Sequence, residues 1–362
     1  MQNKLNIFDF DRTALRELFI SMGHPKYRAD QIIKWLHQSG ETSFAEMSNV
    51  SKKLQLELTN IFEPQTLHCS KESISKDGTI KWLFAVAGNN LIETVYIPER
   101  TRGTLCISSQ AGCALKCSFC ATGKQGFNRN LSTAEIILQL WQAKQRLSEL
   151  AGEQKITNVV MMGMGEPLLN MKNLVPALNL MLDDFAYGLS KYRVTVSTSG
   201  IVPAMEKLKE VSEASMAVSL HAPTDKDRDI LVPINQKYNI KQLMQCCQNY
   251  FEKHPRRAIT FEYILIDQVN DTKKHATDLA KLVKPVNCKV NLIPYNPIEG
   301  VDYKTSTPQN IASFRSILER SNINTTVRKT KGDDIAAACG QLAGDIKART
   351  KKQAHKRIAN VI

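Results

Sequence analysis

Cys113-Ala-Leu-Lys-Cys117-Ser-Phe-Cys120 places three cysteines at the spacing C-x3-C-x2-C. Three thiolates this close together can bind three irons of a [4Fe-4S] cluster and leave the fourth iron without a protein ligand. An iron with an open position can bind a small molecule and pass an electron to it, which is how a cluster cleaves S-adenosylmethionine (SAM) to a radical. The alternatives are three unrelated buried cysteines or a structural zinc site, but zinc normally needs four ligands in C-x2-C pairs and no Cys or His follows closely enough. The stretch therefore predicts a radical-generating cluster with Cys113, Cys117 and Cys120 as its ligands.

The chain is basic, and its positive charge is unevenly distributed. Its 362 residues include 48 Lys and Arg against 35 Asp and Glu, a net charge of +13. Five basic residues and no acidic residue lie between Arg100 and Leu131, and nine basic against three acidic residues lie between Ser321 and Ile362. Basic stretches beside a predicted active site favour a polyanionic substrate, most simply RNA, although a solvated surface would also be basic.

The sequence shows no sign of secretion or of insertion into a membrane. Its charged start does not suit a signal peptide, and no apolar run reaches the ~18 residues of a membrane span. Nine cysteines without a secretion signal argue against a disulfide scaffold. We therefore expect a cytoplasmic monomer without membrane contact, because a reducing cytosol best preserves an oxygen-sensitive cluster.

The pattern of apolar residues divides the chain into four parts. Residues 1–62 have helical spacing, and 63–99 contain two strand-like runs joined at Gly88-Asn89-Asn90, which is a hairpin signal. Residues 100–345 alternate strands with helices, which indicates a parallel sheet with right-handed crossovers and function at the carboxyl ends of its strands. Residues 346–362 form a basic tail. The predicted strands are 104–108, 156–162, 193–197, 214–219, 258–265, 287–292 and 323–328, and the predicted helices are 133–149, 171–183, 203–210, 240–253, 272–283 and 308–320.

The cysteine triplet with its surroundings and five further stretches resemble those of a known family. The stretches follow one another in family order over about residues 20–350: Thr104–Asn130 around the triplet, Gly163-Met-Gly-Glu-Pro167, Ser197-Thr-Ser-Gly200, Ser219-Leu-His-Ala-Pro223, Leu231-Val-Pro-Ile-Asn235 and Ala338-Cys-Gly-Gln-Leu342. The triplet resembles the signature of the radical SAM enzymes, and its surroundings resemble the RlmN/Cfr group of adenosine methyltransferases, most closely RlmN. The resemblance implies an α/β fold: a radical SAM partial (β/α)6-type barrel, preceded by a small helix-hairpin-helix-like accessory domain at 1–62 that helps to bind RNA.

The resemblance also implies a set of SAM-contacting residues at the ends of strands. The glycines of Gly163–Pro167 permit close approach of the backbone, and Glu166 can accept a hydrogen bond from an ammonium group. A strand-to-helix turn would explain the glycines equally well, and a lone Ser or His at a strand end is more often a cap. The implied SAM-binding residues are Gly165, Glu166, Ser197, Ser219, Leu220, His221 and Asn296.

Two further cysteines and one glutamate have implied catalytic roles. From sequence alone, Cys339 and Cys106 are best read as small buried side chains. In the family their counterparts are the methyl-carrying cysteine and its resolving partner. Glu93 shares a strand face with apolar residues, where a carboxylate is costly unless it has a charged partner or a catalytic role. The alternative is an edge strand from which Glu93 points to solvent. The family uses a glutamate there as the proton acceptor.

The implied reaction methylates an adenine carbon in two stages and consumes two SAM molecules per turnover. One SAM methylates Cys339, and a second gives a 5′-deoxyadenosyl radical that removes hydrogen from the S-methyl group. The resulting carbon radical adds to adenine C2, Glu93 removes the C2 proton, and Cys106 attacks Cys339 to release the product and leave a disulfide. The implied products are 2-methyladenosine at adenosine 2503 of 23S rRNA and at adenosine 37 of tRNAs, with an electron donor such as a flavodoxin as partner.

Three alternatives remain open at this stage. A Cfr-like enzyme would act at adenine C8 of the same rRNA nucleotide with the same cysteines. A radical SAM enzyme acting on a small molecule would not need the basic charge or the helical accessory domain. A non-enzymatic RNA-binding module would hold a structural metal at the triplet.

Overall fold

The computed structural model describes residues 4–150 and 154–344, so the predicted basic tail at 346–362 lies outside the described residues. The chain begins with three helices: α1 (Arg12–Ser21), α2 (Tyr27–Lys34) and α3 (Lys52–Ile61). The Asp11 side chain caps α1 by accepting from the backbone N–H of Ala14, and Ser51 caps α3 in the same way. Helix α2 continues as a short π-helix (Trp35–Ser39) that ends at Gly40, whose φ of 76° lies in the left-handed region.

The centre of the molecule is a ten-stranded sheet in the order β1-β2-β3-β4-β7-β8-β9-β10-β11-β12. Its strands are β1 (His68–Ile74), β2 (Ile80–Val86), β3 (Asn90–Pro98), β4 (Gly103–Cys106), β7 (Asn158–Met161), β8 (Val194–Thr198), β9 (Ser215–Ser219), β10 (Ile259–Leu265), β11 (Cys288–Pro294) and β12 (Asn324–Val327). β1 to β4 pair antiparallel, whereas every pair from β4 to β12 is parallel. A separate ribbon pairs β5 (Gln110–Gly112) with β6 (Phe127–Asn130).

Helices connect the seven parallel strands, as crossovers of a parallel sheet require. They are α5 (Thr133–Glu149), α6 (Met171–Leu182), α7 (Val202–Val211), α8 (Asp225–Leu231), α9 (Ile240–Tyr250), α10 (Lys273–Val283) and α11 (Pro308–Arg320), with the short α4 (Ala121–Gln125) between β5 and β6. Helix α5 starts with a reciprocal capping box between Ser132 and Glu135. The six crossovers confirm the predicted partial (β/α)6-type barrel. Among the described residues, no helix is both long and apolar enough to cross a membrane.

The parallel half of the sheet agrees with the sequence-based prediction, with strand ends within two residues and the ends of the six predicted helices within three. The short helices α4 and α8 were not predicted. Strand β1 was not predicted, because its exposed polar residues lack a buried face and its pairing comes from β2. The ribbon strands β5 and β6 are too short for a periodic signal. The predicted hairpin is correct as β2 and β3, and the structure extends it into the same sheet as the barrel.

The N-terminal helices pack against α5 and the loop after α6. Phe8 is fully buried and contacts the rings of His37 and Trp141 edge-on, with centroids 5.5 and 5.9 Å away. The Arg12 guanidinium donates to the Asp183 carboxylate at 2.5 Å. Aromatic packing and an ion pair therefore fix this region against the barrel.

Replacing Phe8 tests this contact. Phe8→Ala should lower the free energy of unfolding by about 3–5 kcal/mol, because it leaves a cavity between the two regions. Ile20→Ala, at a side chain that is 59% exposed, should change it by less than about 0.5 kcal/mol. Urea unfolding followed by circular dichroism measures both. Equal effects of the two substitutions would contradict the packing described.

Candidate active site

The three cysteines of the triplet lie on the loop between β5 and β6, next to the sheet. The backbone N–H of Cys113 donates to the carbonyl of Gly126 at 2.9 Å, and that of Cys120 donates to Cys117 at 3.2 Å. Helix α4 begins directly after Cys120. All three cysteines are half-buried, none is in a disulfide, and all three border one cavity.

The chemistry of these three side chains suits a cluster. Burial raises the pKa of all three thiols, that of Cys117 to about 12 and that of Cys113 well above its ordinary value. A metal-bound cysteine is a thiolate, so a cationic iron must compensate for the buried negative charge. In the parts of the chain that the structure describes, no three His, Cys, Asp or Glu side chains converge on a point where a single metal ion would bind. A cluster does not need that convergence, because each thiolate binds its own iron.

The cavity beside the triplet spans about 890 Å³, part of which is open solvent, and lies at the carboxyl ends of β7 to β11. Gly165, on the loop after β7, has a φ of +97°, and an added Cβ would lie 2.4 Å from the Gln110 side chain. An added Cβ on Gly163 would lie 2.6 Å from the backbone of Ile107. Both glycines are therefore needed for the loop after β7 to approach the strand that leads to the cluster loop.

Glu166 lies in the wall of this cavity and joins two strand ends. One of its carboxylate oxygens accepts from the backbone N–H of Leu168 at 3.2 Å, and the other accepts from that of Ser199 at 2.8 Å. Burial raises the pKa of Glu166 to about 6, against the effect of these donors. Glu166 is therefore both a cap of the turn after β7 and a polar group that faces the predicted SAM site.

The other predicted SAM contacts do not all lie in this cavity. Ser197, Ser219 and His221 line it. The Nδ1 atom of His221 accepts from the backbone N–H of Ile264 at 3.1 Å, which leaves the proton of the neutral ring on Nε2. Burial lowers the pKa of His221 to about 3, so the ring is neutral at physiological pH. The Leu220 side chain is buried and does not line the cluster cavity. Asn296 lines a smaller cleft next to that cavity.

Arg228 holds the strand ends together and was missed by the sequence analysis. It is fully buried in α8, and its guanidinium donates to the carbonyls of Ser199, Ser219 and Leu220 at 2.7 to 3.1 Å. It also donates to the side chain of Asn235 at 2.9 Å. Burial lowers the pKa of Arg228 to about 10. Its charged neighbours in α8 have the pattern of a solvated helix, so no sequence signal marks it as buried.

Cys339 belongs to a segment, residues 332–344, that lies between the cluster loop and the antiparallel strands. On the cluster side, the backbone N–H of Ala121 donates to the carbonyl of Gly340 at 2.8 Å, and the Asn296 side chain donates to that of Cys339 at 3.1 Å. On the other side, the Ser75 hydroxyl donates to Asp334 at 2.5 Å. These bonds place Cys339 in the lining of the cluster cavity.

Cys106 lies at the end of β4, close to Cys339 and to Arg328. Burial raises the pKa of Cys106 to about 12; the negative charge of the Cys339 thiolate adds to this rise, and the Arg328 guanidinium opposes it. The structure thus brings together two cysteines that are 233 residues apart in sequence. Of these two cysteines only Cys339 lines the cluster cavity; Cys106 does not, and neither do the other four, Cys69, Cys246, Cys247 and Cys288.

Glu93 is buried on β3, which pairs with both β2 and β4, so the alternative of a solvent-facing edge residue is wrong. One carboxylate oxygen lies 3.0 Å from the Lys81 ammonium, and the other accepts from the backbone N–H of Ala343 at 3.0 Å. Lys81 also donates to the carbonyl of Ala336 at 3.0 Å. This ion pair explains how a carboxylate is tolerated there, and it connects β3 to the segment that carries Cys339.

Two family models match the chain. The model described as "Ribosomal RNA large subunit methyltransferase N-terminal domain" matches residues 5–63, and the model of the radical SAM superfamily matches residues 107–280. The structure is similar to that of a radical SAM methyltransferase from Sphaerobacter thermophilus, with 39% sequence identity and a TM-score of 0.86. That match covers 93% of this chain and 99% of the other.

Weaker similarities exist to two other solved structures. SuiB from Streptococcus suis with its precursor peptide has 14% identity and a TM-score of 0.44, over 62% of this chain and 49% of the other. A domain of pyruvate-formate lyase-activating enzyme from Bacteroides vulgatus has 16% identity and a TM-score of 0.37, over 48% of this chain and 99% of the other. At this level of similarity they add nothing to the family relationship.

Substitution of the triplet tests the ligand assignment. Cys113→Ser, Cys117→Ser and Cys120→Ser should each lose most of the iron, sulfide and visible absorbance of the anaerobically purified protein, which should hold about four irons per chain. Cys69→Ser is the matched control, because Cys69 is exposed on β1. Retention of the parental iron content by the triplet variants, or zinc in the parent protein, would contradict the assignment.

Proposed function

Because the chain belongs to the RlmN/Cfr group of radical SAM methyltransferases, we propose that it methylates C2 of adenosine 2503 in 23S rRNA and C2 of adenosine 37 in tRNAs. Membership of the superfamily implies a [4Fe-4S] cluster and SAM as cofactors. The observation that carries the proposal is the convergence of Cys106 and Cys339 beside the cluster cavity. A methyltransferase that used SAM directly would need neither cysteine.

We assign the cluster to Cys113, Cys117 and Cys120, and SAM to the cavity formed by the strand ends. When bound, the cluster and SAM supply a methyl group and a 5′-deoxyadenosyl radical. Gly165 leaves room at the wall, while Glu166, Ser197, Ser219 and His221 offer polar groups to SAM. Leu220, directly after β9, would contribute only backbone atoms to the SAM site. Asn296 would hold the Cys339 segment in place through its hydrogen bond to the Cys339 carbonyl.

Cys339 is the methyl carrier in this proposal, and Cys106 is the resolving cysteine. The Cys339 sulfur accepts a methyl group, which joins adenine C2 after losing a hydrogen atom. The Cys106 thiolate then attacks the Cys339 sulfur, and the bond between that sulfur and the methyl-derived carbon breaks. That carbon takes up a proton to become the methyl group, and the one surplus electron left by the radical addition would return to the oxidised cluster. The disulfide that remains is reopened by an external reductant. Both cysteines are free in this structure.

Glu93 is the proposed acceptor of the C2 proton. Its carboxylate lies 3.0 Å from the Lys81 ammonium, which holds the carboxylate in a fixed position for proton transfer. Its other oxygen binds the segment of Cys339, which sets the base and the methyl carrier at a fixed separation. A base at a fixed distance from Cys339 can remove the proton from adenine C2 once the methyl-derived carbon has joined it.

Charge supports RNA as the substrate. The net charge of +13 is concentrated in stretches that include the cluster loop and the region of Cys339. The family model that matches residues 5–63 belongs to methyltransferases of the large ribosomal RNA. We propose an RNA-binding role for 1–62, with 63–99 as an extension, 100–345 as the catalytic core and 346–362 as a basic tail. The tRNA substrate, a flavodoxin-like electron donor, a monomeric state and a cytoplasmic location remain predictions.

Removal of Cys106 tests the covalent route. Cys106→Ala should accumulate a covalent adduct between Cys339 and RNA, visible on a denaturing gel, because nothing can attack the carrier sulfur. Cys339→Ala should give neither adduct nor methylated RNA while keeping its iron. Cys288→Ala should behave like the parent protein. Full methylation by Cys339→Ala with a complete cluster would disprove the covalent route.

The pH dependence of product release follows from the burial of Cys106. Burial raises its pKa above the ordinary thiol value of about 8.5, and this cause persists in the adduct, where Cys339 is a thioether and no longer adds a negative charge. The reactive thiolate fraction rises tenfold per pH unit below the pKa. If an adduct is formed at pH 6.5 and the pH is then raised, RNA release should still be accelerating about tenfold per unit at pH 8.5. A plateau near pH 8.5 would show that Cys106 ionises as an ordinary thiol.

A further inference from the structure

A second, smaller cleft lies beside Cys339 and adjoins the cluster cavity. Its space of about 280 Å³ is partly open solvent, and it shares Ile293, Arg328 and Cys339 with the lining of the larger cavity. Its wall includes Asn296 and the run from Arg328 to Lys331. Cys339 therefore faces two spaces, of which the larger is the one assigned to SAM. The smaller cleft has no role in the chemistry described so far.

Positive charge dominates the smaller cleft. Arg328, Lys329 and Lys331 all line it. Within the described ranges, Lys331 has an ion pair with Asp77 at 3.7 Å, whereas no carboxylate lies within 4.0 Å of the side-chain nitrogens of Arg328 or Lys329. The nearby Glu262 belongs to the wall of the larger cavity, where its carboxylate accepts from the Asn291 side chain at 2.8 Å. Arg328 and Lys329 therefore have no direct carboxylate partner, although the Glu262 and Glu99 carboxylates attract Arg328 from a greater distance.

The backbone holds these cations in place. The Arg328 N–H donates to the Leu292 carbonyl at 2.8 Å, directly after β12. The Thr330 hydroxyl donates to the Asn296 side chain at 3.1 Å, and the Gly332 N–H donates to Asp77 at 3.1 Å. A cationic run anchored at three points loses less conformational entropy on binding an anion than free surface lysines would.

We propose that this cleft binds one phosphodiester next to the target adenosine, with Arg328 and Lys329 as its cationic contacts. The inference rests on the proposed RNA substrate. A guanidinium is suited to two parallel hydrogen bonds with phosphate oxygens, and Lys adds a second charge. A phosphate held beside Cys339 would bring its own nucleotide to the methyl carrier, on the side that SAM does not occupy. The cleft is therefore a positioning site that sets which nucleotide is presented.

Neutral phosphate analogues provide the direct test. The probe is a short RNA stem-loop with the target adenosine, prepared unmodified and with a single methylphosphonate on the 5′ or the 3′ side of that adenosine. One of the two neutral linkages should weaken binding to the cluster-loaded parent protein about tenfold, because one charged contact is lost. The same linkage should cause a smaller loss in Arg328→Gln or Lys329→Gln, each of which keeps one of the two cationic contacts, and no further loss in the double variant. The slope of log Kd against log salt should fall by about 0.7–0.9 in each variant.

Controls separate this inference from a general loss of charge or of folding. Lys207→Gln, on the exposed face of α7, should bind all three RNAs like the parent protein. Equal weakening of parent and variants by the neutral linkages, or no weakening by either linkage, would overturn the proposal. A loss of SAM binding in Arg328→Gln without loss of RNA binding would also overturn it and assign Arg328 to SAM. A failure of the proposed function is a separate result: the parent protein would bind the unmodified RNA without methylating it.

Discussion

The hydrogen bond from the Ala121 N–H to the Gly340 carbonyl joins the two halves of the site. It connects the helix that follows the last cluster cysteine to the segment of Cys339, 219 residues later in the chain. The Thr122 hydroxyl reinforces it by donating to the Leu342 carbonyl at 2.6 Å. Because backbone and short side chains make these bonds, the position of the methyl carrier relative to the cluster loop depends on the fold itself and little on flexible side chains. The geometry of the proposed reaction follows from this constraint.

The antiparallel strands β1 to β3 also fix the position of the Cys339 segment. They extend the barrel sheet at β4, and they bind the Cys339 segment through Ser75, Lys81 and Glu93. The proposed base thus belongs to the same extension that fixes the carrier. A partial barrel leaves its first strand open to such an addition, whereas a closed barrel would have no free edge there.

The sequence predicted the parts of the structure that local patterns determine. The triplet spacing indicated the cluster, and the alternating periodicity located β4 and β7 to β12 together with every crossover helix except α8. Residues that act through distant contacts gave no such signal. Arg228 can be buried only because four acceptors converge on it, three at the ends of β8 and β9 and one on Asn235 after α8. Lys81 matters only because the sheet register brings it to Glu93. The proximity of Cys106 to Cys339 was implied by family resemblance alone, because 233 residues of chain separate them.

The central claim is that the two cysteines serve carbon methylation of an adenosine in RNA. Nucleoside mass spectrometry of 23S rRNA and tRNA tests it most directly, after anaerobic incubation with SAM and a reductant, with RNA from cells that lack the corresponding methyltransferase. The account predicts a gain of 2-methyladenosine in both RNA pools. A gain of 8-methyladenosine would assign the protein to the Cfr branch. No methyl gain from a protein with a verified [4Fe-4S] cluster would contradict the RNA assignment.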